Sequence, residues 1–186
     1  MERIKTYIAN LQAAIDALPI EKIKRVIDLI MEAYESDKLI FVVGNGGSAS
    51  TASHFACDLG KGTIVQGKRR LRIMSLTDNV AVMTAWANDV SYDDIFVEQL
   101  KNLLNRNDLV IGISASGNSK NVLNAAEAAR KKGMKIISLT GKDGGKLASM
   151  CDIEIRAPHS EFSDRAQEIH IKVIHALIYL IEHELA

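Results

Sequence analysis

The residues best suited to chemistry in this sequence are a histidine and a carboxylate four positions apart, His54 and Asp58. On a helix, this spacing places both side chains on the same face. An imidazole and a carboxylate in that arrangement can bind a metal ion, or can divide proton transfers between them. The same pair also occurs as a plain interaction on a helix surface, and the spacing alone leaves both interpretations open.

Polar residues near the C-terminus form a second candidate group. Gln167, Ile171 and His175 follow one another at intervals of four, so on a helix both polar groups can point into one cleft. Two helical turns correspond to a rise of about 12 Å, so the spacing permits a shared ion without requiring one. For His159 and His170 we expect buried imidazoles that bond backbone carbonyls.

A glycine-rich turn precedes His54. Residues 44–48 read Gly-Asn-Gly-Gly-Ser, and small residues open a predicted helix after them. Glycines let the backbone bring its N–H groups close to an anion, and the start of a helix adds partial positive charge. This segment, which we call the first turn, could equally be an ordinary connection between a strand and a helix.

A serine-rich turn occupies residues 114–119, Ser-Ala-Ser-Gly-Asn-Ser, before a predicted helix over residues 121–132. In this second turn, three hydroxyls and several backbone N–H groups converge at a helix start. That suits a sugar phosphate where the turn holds no lysine or arginine. Ser119 could instead be only a helix N-cap, but one cap needs one hydroxyl. Together the two turns predict a site for a phosphorylated sugar.

Three further patterns carry less weight. Residues 44–48 lack the Gly-Lys-Ser/Thr ending of a nucleotide P-loop, and their GxGG spacing differs from GxGxxG, which disfavours a nucleotide. Asp78 follows a predicted strand and could contact sugar hydroxyls. Residues 68–70, Lys-Arg-Arg, are expected to form a solvated loop. The acidic residues expected to be helix caps are Asp89, Asp93 and Asp94.

The elements that must position these residues alternate between strands and helices. The segments between the predicted strands read mostly as helices of about ten to fifteen residues. Such alternation predicts an α/β fold, a doubly wound five-stranded parallel sheet in the flavodoxin-like order 2-1-3-4-5. Its topological switch, where ligands bind, lies between the first and third strands. The apolar runs that predict strands buried on both faces are residues 39–43, 71–76, 109–113, 135–139 and 152–155.

Helices with apolar faces are predicted at both ends of the chain. Apolar residues recur at helical spacing over residues 4–18 and 23–33, and residues 163–184 are apolar on several sides. This is more apolar helix surface than one five-stranded sheet needs for cover, which predicts a homo-oligomer formed through helices. We expect a single domain over residues 1–186, with residues 1–36 as an N-terminal helical segment used in oligomerisation.

Composition narrows the choice of partners and compartment. The chain has 186 residues, and 23 Lys and Arg balance 23 Asp and Glu, so no net field draws it to nucleic acid or to an anionic membrane. The two cysteines, Cys57 and Cys151, have no CxxC spacing and fit a reducing compartment, so a cytoplasmic protein is expected. Neither a secretion signal nor a membrane span is expected, because no apolar run approaches roughly 18 residues.

Four segments of the sequence resemble the sugar isomerase (SIS) family, and most closely its phosphoheptose isomerases. They are the first turn, the second turn, residues 132–145 and residues 167–175. The serine-rich turn is common to many SIS proteins, whereas the C-terminal segment from Gln167 to His175 is closer to the phosphoheptose isomerases. The resemblance spans nearly the whole chain and implies an SIS domain with N-terminal helices and a long C-terminal helix.

The resemblance also implies an activity. Phosphoheptose isomerases are intramolecular oxidoreductases that convert sedoheptulose 7-phosphate into D-glycero-D-manno-heptose 7-phosphate. This aldose–ketose isomerisation supplies heptose for lipopolysaccharide, capsule or glycan. The enzymes are homotetramers with active sites between subunits. The resemblance therefore implies a phosphorylated sugar as substrate, a homotetramer, and one zinc ion per site. From the balanced charge, no nucleic-acid or membrane partner is expected.

By the same resemblance, individual residues receive roles. The zinc ligands are His54, Asp58, Gln167 and His175. Moving the carbonyl requires a base that removes the proton alpha to it, and an acid. We assign Asp58 as the base and His175 as the acid, and the reverse assignment is open. The residues expected to bind substrate are Asn45, Gly46, Gly47, Ser48, Asp78, Ser114, Ala115, Ser116, Ser119, Asp164 and Gln167.

Three features depart from the family pattern. Asp58 stands where a glutamate is usual and is one methylene shorter, so a base placed by the family's geometry would fall short. Residues 59–63, Leu-Gly-Lys-Gly-Thr, lack a Thr-Gly-Arg-Tyr sequence, and Ala115 replaces a usual threonine. An isomerase for a different ketose phosphate therefore stays open. A non-catalytic SIS protein that binds a sugar phosphate or a replication initiator is the alternative from another class, and the four metal-site residues together favour the enzyme.

Overall fold

The computed structural model describes residues 1–158 and 163–186, except for the side chains of Ser163 and Asp164. His159, predicted as a buried imidazole, and the side chain of Asp164, predicted to bind substrate, therefore lie outside the described residues. Tyr92–Asp94 form a short 3-10 helix. The other elements are α1 (Glu2–Asp16), α2 (Ile20–Glu35), β1 (Leu39–Gly44), α3 (Gly47–Gly62), β2 (Arg72–Ser75), α4 (Val80–Asp89), α5 (Val97–Leu103), β3 (Leu109–Ser114), α6 (Lys120–Lys131), β4 (Lys135–Thr140), α7 (Gly145–Ala148), β5 (Ile153–Arg156) and α8 (Ser163–Leu185).

The five strands form one parallel sheet in the order β2-β1-β3-β4-β5, which confirms the predicted topology. β1 and β3 are neighbours, and Gly44 at the end of β1 pairs with Ile113. Ser114, at the end of β3, pairs with Thr140 at the end of β4. The first and second turns therefore leave the sheet side by side at its carboxyl edge. This is the topological switch, where the connections that follow β1 and β3 run to opposite sides of the sheet.

Both faces of the sheet are buried, as the continuous apolar strands predict. Ile40 and Val42 of β1 belong to a core shared with α1, α2, α3 and α8, whereas Phe41 and Val43 belong to a second core under α5, α6 and α7. Alternate residues of one strand thus supply both helical layers. The layer that contains α3 and α8 carries His54, Asp58, Gln167 and His175.

Two connections differ from the predicted single helix of about ten to fifteen residues. Between β2 and β3 the chain forms α4, the 3-10 helix and α5. Between β4 and β5 the only helix is the four-residue α7. Gly144 and Gly145, at the start of α7, have φ angles of 87° and 54°. Because these values lie in the left-handed region, a regular helix cannot begin before α7.

The prediction that Asp89, Asp93 and Asp94 cap helices is wrong. Asp89 is the last residue of α4, and Asp93 and Asp94 lie inside the 3-10 helix. The capping side chains belong to other residues: Asn79 accepts from Val82 N–H at 3.1 Å, and Ser91 accepts from Asp93 N–H at 3.0 Å. An earlier polar residue therefore takes each cap position.

Three helices leave apolar surface uncovered in the single chain. Only Ala14 of α1 is buried, and Ile4 and Ile8 are each 59% exposed. α4 has no buried residue although most of its sequence is apolar, and Val80 is 67% exposed. On α8, Tyr179 is 60% exposed. Among the described residues, no helix combines the length and the apolar character needed to cross a membrane.

Candidate active site

Three of the predicted site residues meet between α3 and α8. His54 Nε2 lies 2.8 Å from His175 Nε2 and 3.2 Å from Asp58 Oδ2. The two imidazole rings pack edge to face, with centroids 5.1 Å apart. One possible ligand atom from each residue lies within 4.8 Å of the other two. The shared helix face of His54 and Asp58 is thus confirmed, and His175 joins them from the far end of the sequence.

The anchoring of α3 explains why these side chains face α8. Thr51, Phe55 and Leu59 of α3 are buried against the sheet. His54 and Asp58 lie on a neighbouring side of the helix, and their side chains remain 42% and 37% exposed. The apolar residues of α3 therefore fix the helix, while its two chemical groups stay accessible to a ligand.

Gln167 lies against the first turn. A Cβ added at Gly47 would lie 2.5 Å from Gln167 Cδ, so a larger residue there would displace this amide from its position against the turn. His175 contacts α3 through His54, and Gln167 contacts it through Gly47, in agreement with the predicted row on one helix face. Between α3 and α8 lies an open cleft of about 490 Å³, lined by Gly47, Ser50, Thr51, His54, Gln167, Glu168 and Ile171.

The second turn is held by its own hydrogen bonds. Gly117, with a φ angle of 63°, donates its N–H to the Ser114 carbonyl at 2.9 Å, and Asn118 N–H donates to Ser116 Oγ at 3.1 Å. Ser119 occupies the N-cap position of α6 but makes no side-chain cap bond. Its hydroxyl accepts instead from Ser114 Oγ at 3.2 Å, so these two hydroxyls of the turn face one another. The N-cap interpretation of Ser119 therefore explains its position but not its hydrogen bond.

Two residues beside the turns were missed by the sequence reasoning. Asn121, which is 2% exposed, pairs with Asn45 of the first turn through two amide hydrogen bonds of 2.7 and 2.9 Å. Tyr92 donates its hydroxyl to Asn45 Oδ1 at 2.8 Å. Asn121 had a detectable signal, because it is a polar residue in the otherwise apolar row that continues with Ala125 and Ala129 of α6. For Tyr92, no local pattern indicates the contact.

Asp78 lies in a different depression from His54. Its Oδ1 accepts hydrogen bonds from Ser53 Oγ and from Thr77 Oγ1, the latter at 3.3 Å. Ser53 and Asp78 line this depression together with Cys57 and Asn79, on the β2 side of α3. The described structure therefore does not bring Asp78 into the cleft that holds Gln167.

His170 is a buried imidazole bonded to a carbonyl, as predicted. It is fully buried, and its Nε2 donates to the Thr140 carbonyl at 2.9 Å, which also accepts Ala157 N–H at 2.8 Å. Burial lowers the pKa of His170 to about 4, so the ring is neutral at pH 7. Its bond ties α8 to the carboxyl end of β4, directly beside the second turn.

Acidification should therefore destabilise the protein through His170. In the unfolded chain a histidine has a pKa of about 6.5. Below that pH the imidazole is protonated in the unfolded chain. In the folded protein it stays neutral until the pH reaches its lowered pKa of about 4. From pH 7 to pH 5 this single group should lower the free energy of unfolding by about 2 kcal/mol.

Denaturant unfolding of wild type and His170→Gln at both pH values measures the effect. Glutamine can still donate to the Thr140 carbonyl but does not titrate, so the variant should lose about 2 kcal/mol less than wild type between the two pH values. An equal loss in both proteins would show that His170 does not carry the pH dependence.

Comparisons with known proteins agree with this geometry. The SIS domain family matches residues 5–141. A phosphoheptose isomerase from Histophilus somni (strain 2336) is 42% identical over 191 aligned positions, covering 100% of this chain and 97% of the relative. Another, from Escherichia fergusonii, is 45% identical and covers 92% of this chain and 88% of the relative.

Solved structures give the same answer. The phosphoheptose isomerase GmhA from Neisseria gonorrhoeae superimposes with a TM-score of 0.90 at 34% identity, covering 98% of each chain. The enzyme from Francisella tularensis gives a TM-score of 0.88 at 33% identity, covering 98% of this chain and 97% of the other. The predicted fold class and the predicted resemblance are both confirmed, and the chain belongs to the SIS domain family, in its phosphoheptose isomerase branch.

Proposed function

We propose that this protein interconverts sedoheptulose 7-phosphate and D-glycero-D-manno-heptose 7-phosphate, as an aldose–ketose isomerase. The observation that carries the proposal is the meeting of His54, Asp58 and His175 at one point between α3 and α8. A carboxylate and two imidazoles can supply both the base and the acid that movement of a carbonyl requires. A module that only bound a sugar phosphate would need none of them.

The residues of the cluster divide the proton transfers. Starting from the ketose, the Asp58 carboxylate removes a proton from C1 while His175 donates one to the oxygen on C2, which gives an enediol. Asp58 then returns a proton to C2, and His175, which has lost its proton, takes one from the hydroxyl on C1, whose oxygen becomes the aldehyde oxygen. His54, 3.2 Å from the Asp58 carboxylate, orients that carboxylate for both transfers.

The donor set fits a zinc ion. Imidazole nitrogen and carboxylate oxygen are usual zinc ligands, and the three atoms here lie within 4.8 Å of one another. We propose that His54, Asp58 and His175 hold the ion, with the amide of Gln167, which lines the same cleft, as the fourth ligand. When bound, zinc supplies positive charge that stabilises the negative charge that develops on the sugar oxygens during these transfers.

We propose that the second turn binds the phosphate. Its hydroxyls from Ser114, Ser116 and Ser119 lie at the start of α6, where partial positive charge from the helix favours an anion. The first turn, at the neighbouring strand end, is proposed to bind the sugar through Asn45 and its glycines. A substrate that spans both turns would place its carbonyl end toward α3 and α8.

Purified protein should therefore convert sedoheptulose 7-phosphate into the heptose phosphate, measured by NMR with and without added zinc. Ser116→Ala should raise KM about tenfold with little change in kcat, because one hydroxyl that bonds a charged phosphate is lost. Ser149→Ala is the matched control, since this hydroxyl donates to the Lys146 carbonyl of α7. If wild type binds sugar phosphates without turning over this substrate, a sugar-phosphate sensor or a different ketose becomes the better explanation.

We also propose that the protein is a homotetramer, with its N-terminal segment, residues 1–36, in the subunit contacts. The uncovered apolar residues of α1, α4 and α8 support this proposal. So does the open cleft, because a partner subunit could close it from the solvent side. A reducing, cytoplasmic location fits the free thiols Cys57 and Cys151.

A further inference from the structure

A reciprocal pair of carboxamides joins the first turn to the start of α6. Asn45 Nδ2 donates to Asn121 Oδ1 at 2.7 Å, and Asn121 Nδ2 donates to Asn45 Oδ1 at 2.9 Å. Asn121 is only 2% exposed, so both of its polar groups need partners within the protein. The pair bridges β1 and β3 above the topological switch, between the two turns proposed to bind the substrate.

Hydrogen bonds at the two ends fix which way round both amides lie. Val122 N–H donates to Asn121 Oδ1 at 2.9 Å, and only an oxygen can accept there. At the other end, the Tyr92 hydroxyl donates to Asn45 Oδ1 at 2.8 Å. Asn45 Oδ1 therefore accepts from two donors, and one of the two Nδ2 hydrogens is used by Asn121. Among the described residues, the second Nδ2 hydrogen is the part of this amide left for a ligand.

Tyr92 is held in place by α6. It opens the 3-10 helix, in which the Asp93 carbonyl accepts from Asn124 Nδ2 at 2.9 Å and the Asp93 carboxylate lies 3.5 Å from Lys120 Nζ. Tyr92 remains 53% exposed. The 3-10 helix, which lies in the long connection between β2 and β3, thus places the Tyr92 phenol beside the first turn at the topological switch.

We propose that Tyr92 is a positioning residue that acts through Asn45, a role that rests on the proposed function. Its hydroxyl keeps the oxygen of Asn45 turned away from the substrate, so that the first turn offers only N–H donors to a substrate oxygen. Without the hydroxyl, the amide keeps its pairing with Asn121 but loses one of the two bonds that fix its orientation. Substrate binding weakens, whereas the groups at His54, Asp58 and His175 are untouched.

The test compares Tyr92→Phe with Tyr34→Phe. Tyr34 also loses a single hydroxyl hydrogen bond, to the Arg69 carbonyl, far from the turns. Tyr92→Phe should raise KM about two- to tenfold with kcat within twofold of wild type, and Tyr34→Phe should change neither. A merely structural defect would lower kcat through a smaller active fraction and leave KM unchanged.

A second readout is independent of activity. The ¹⁵N–¹H side-chain amide signals of Asn45, assigned by their loss in Asn45→Ala, should shift in Tyr92→Phe and not in Tyr34→Phe. If wild type is inactive on the heptose phosphate but the Asn45 signals still shift in Tyr92→Phe, the proposed reaction is rejected and the hydrogen bond on which the inference depends is retained. Unchanged Asn45 signals, or an unchanged KM in an active Tyr92→Phe enzyme, would overturn the role of Tyr92.

Discussion

Asp58→Asn should reduce kcat by about 10²–10⁴-fold, because asparagine keeps the size of the side chain and cannot accept the substrate proton. The amide can still contact His54, so the geometry of α3 should be preserved. Thermal unfolding measured alongside the isomerase assay checks that the loss is not a loss of fold. Activity within tenfold of wild type would mean that another group is the base.

Asp58→Glu is the matched variant. The carboxylate of Asp58 reaches His54 at 3.2 Å, so the shorter side chain still contacts the other groups of the cluster. A longer side chain would push the carboxylate about 1 Å from its place, which can cost about 100-fold in rate. If Asp58→Glu were faster than wild type, the shorter aspartate side chain would instead be limiting the rate at this position.

His175→Ala should lower kcat by about 10²–10⁴-fold through loss of the proposed acid, and should also lower the zinc bound per chain. Zinc is measured by elemental analysis of protein purified without chelators. His183→Ala is the control, because this histidine lies two turns further along α8 and bonds the Tyr179 carbonyl at 2.7 Å. A variant that loses turnover but keeps its zinc would place His175 in proton transfer alone.

The order of the strands and the position of the two turns could be predicted from the sequence, because both depend on local patterns and on general rules of chain crossing. Continuous apolar runs mark the buried strands, and right-handed crossovers limit their arrangement. The pairing of His54 with Asp58 was likewise predictable, since it lies within one helix.

The remaining contacts depend on how distant elements pack. The 2.8 Å approach of His175 to His54 requires the packing of α8 on α3, which no periodicity encodes. Asn45 and Asn121 meet only because β1 and β3 are neighbours. The wrong helix caps have a different cause: capping depends on the residue at which a helix begins, which sequence patterns place only to within a few residues.

The adjacency of β1 and β3 also has a consequence for how the protein matures. Asn45 and Asn121 are 76 positions apart, and His54 and His175 are 121 positions apart. Contacts between residues so far apart in the sequence form late, because the entropy of closing a long loop is lost before the contact contributes stabilisation. His175 lies on α8, so the cluster of His54, Asp58 and His175 is complete only when this last helix has docked on α3.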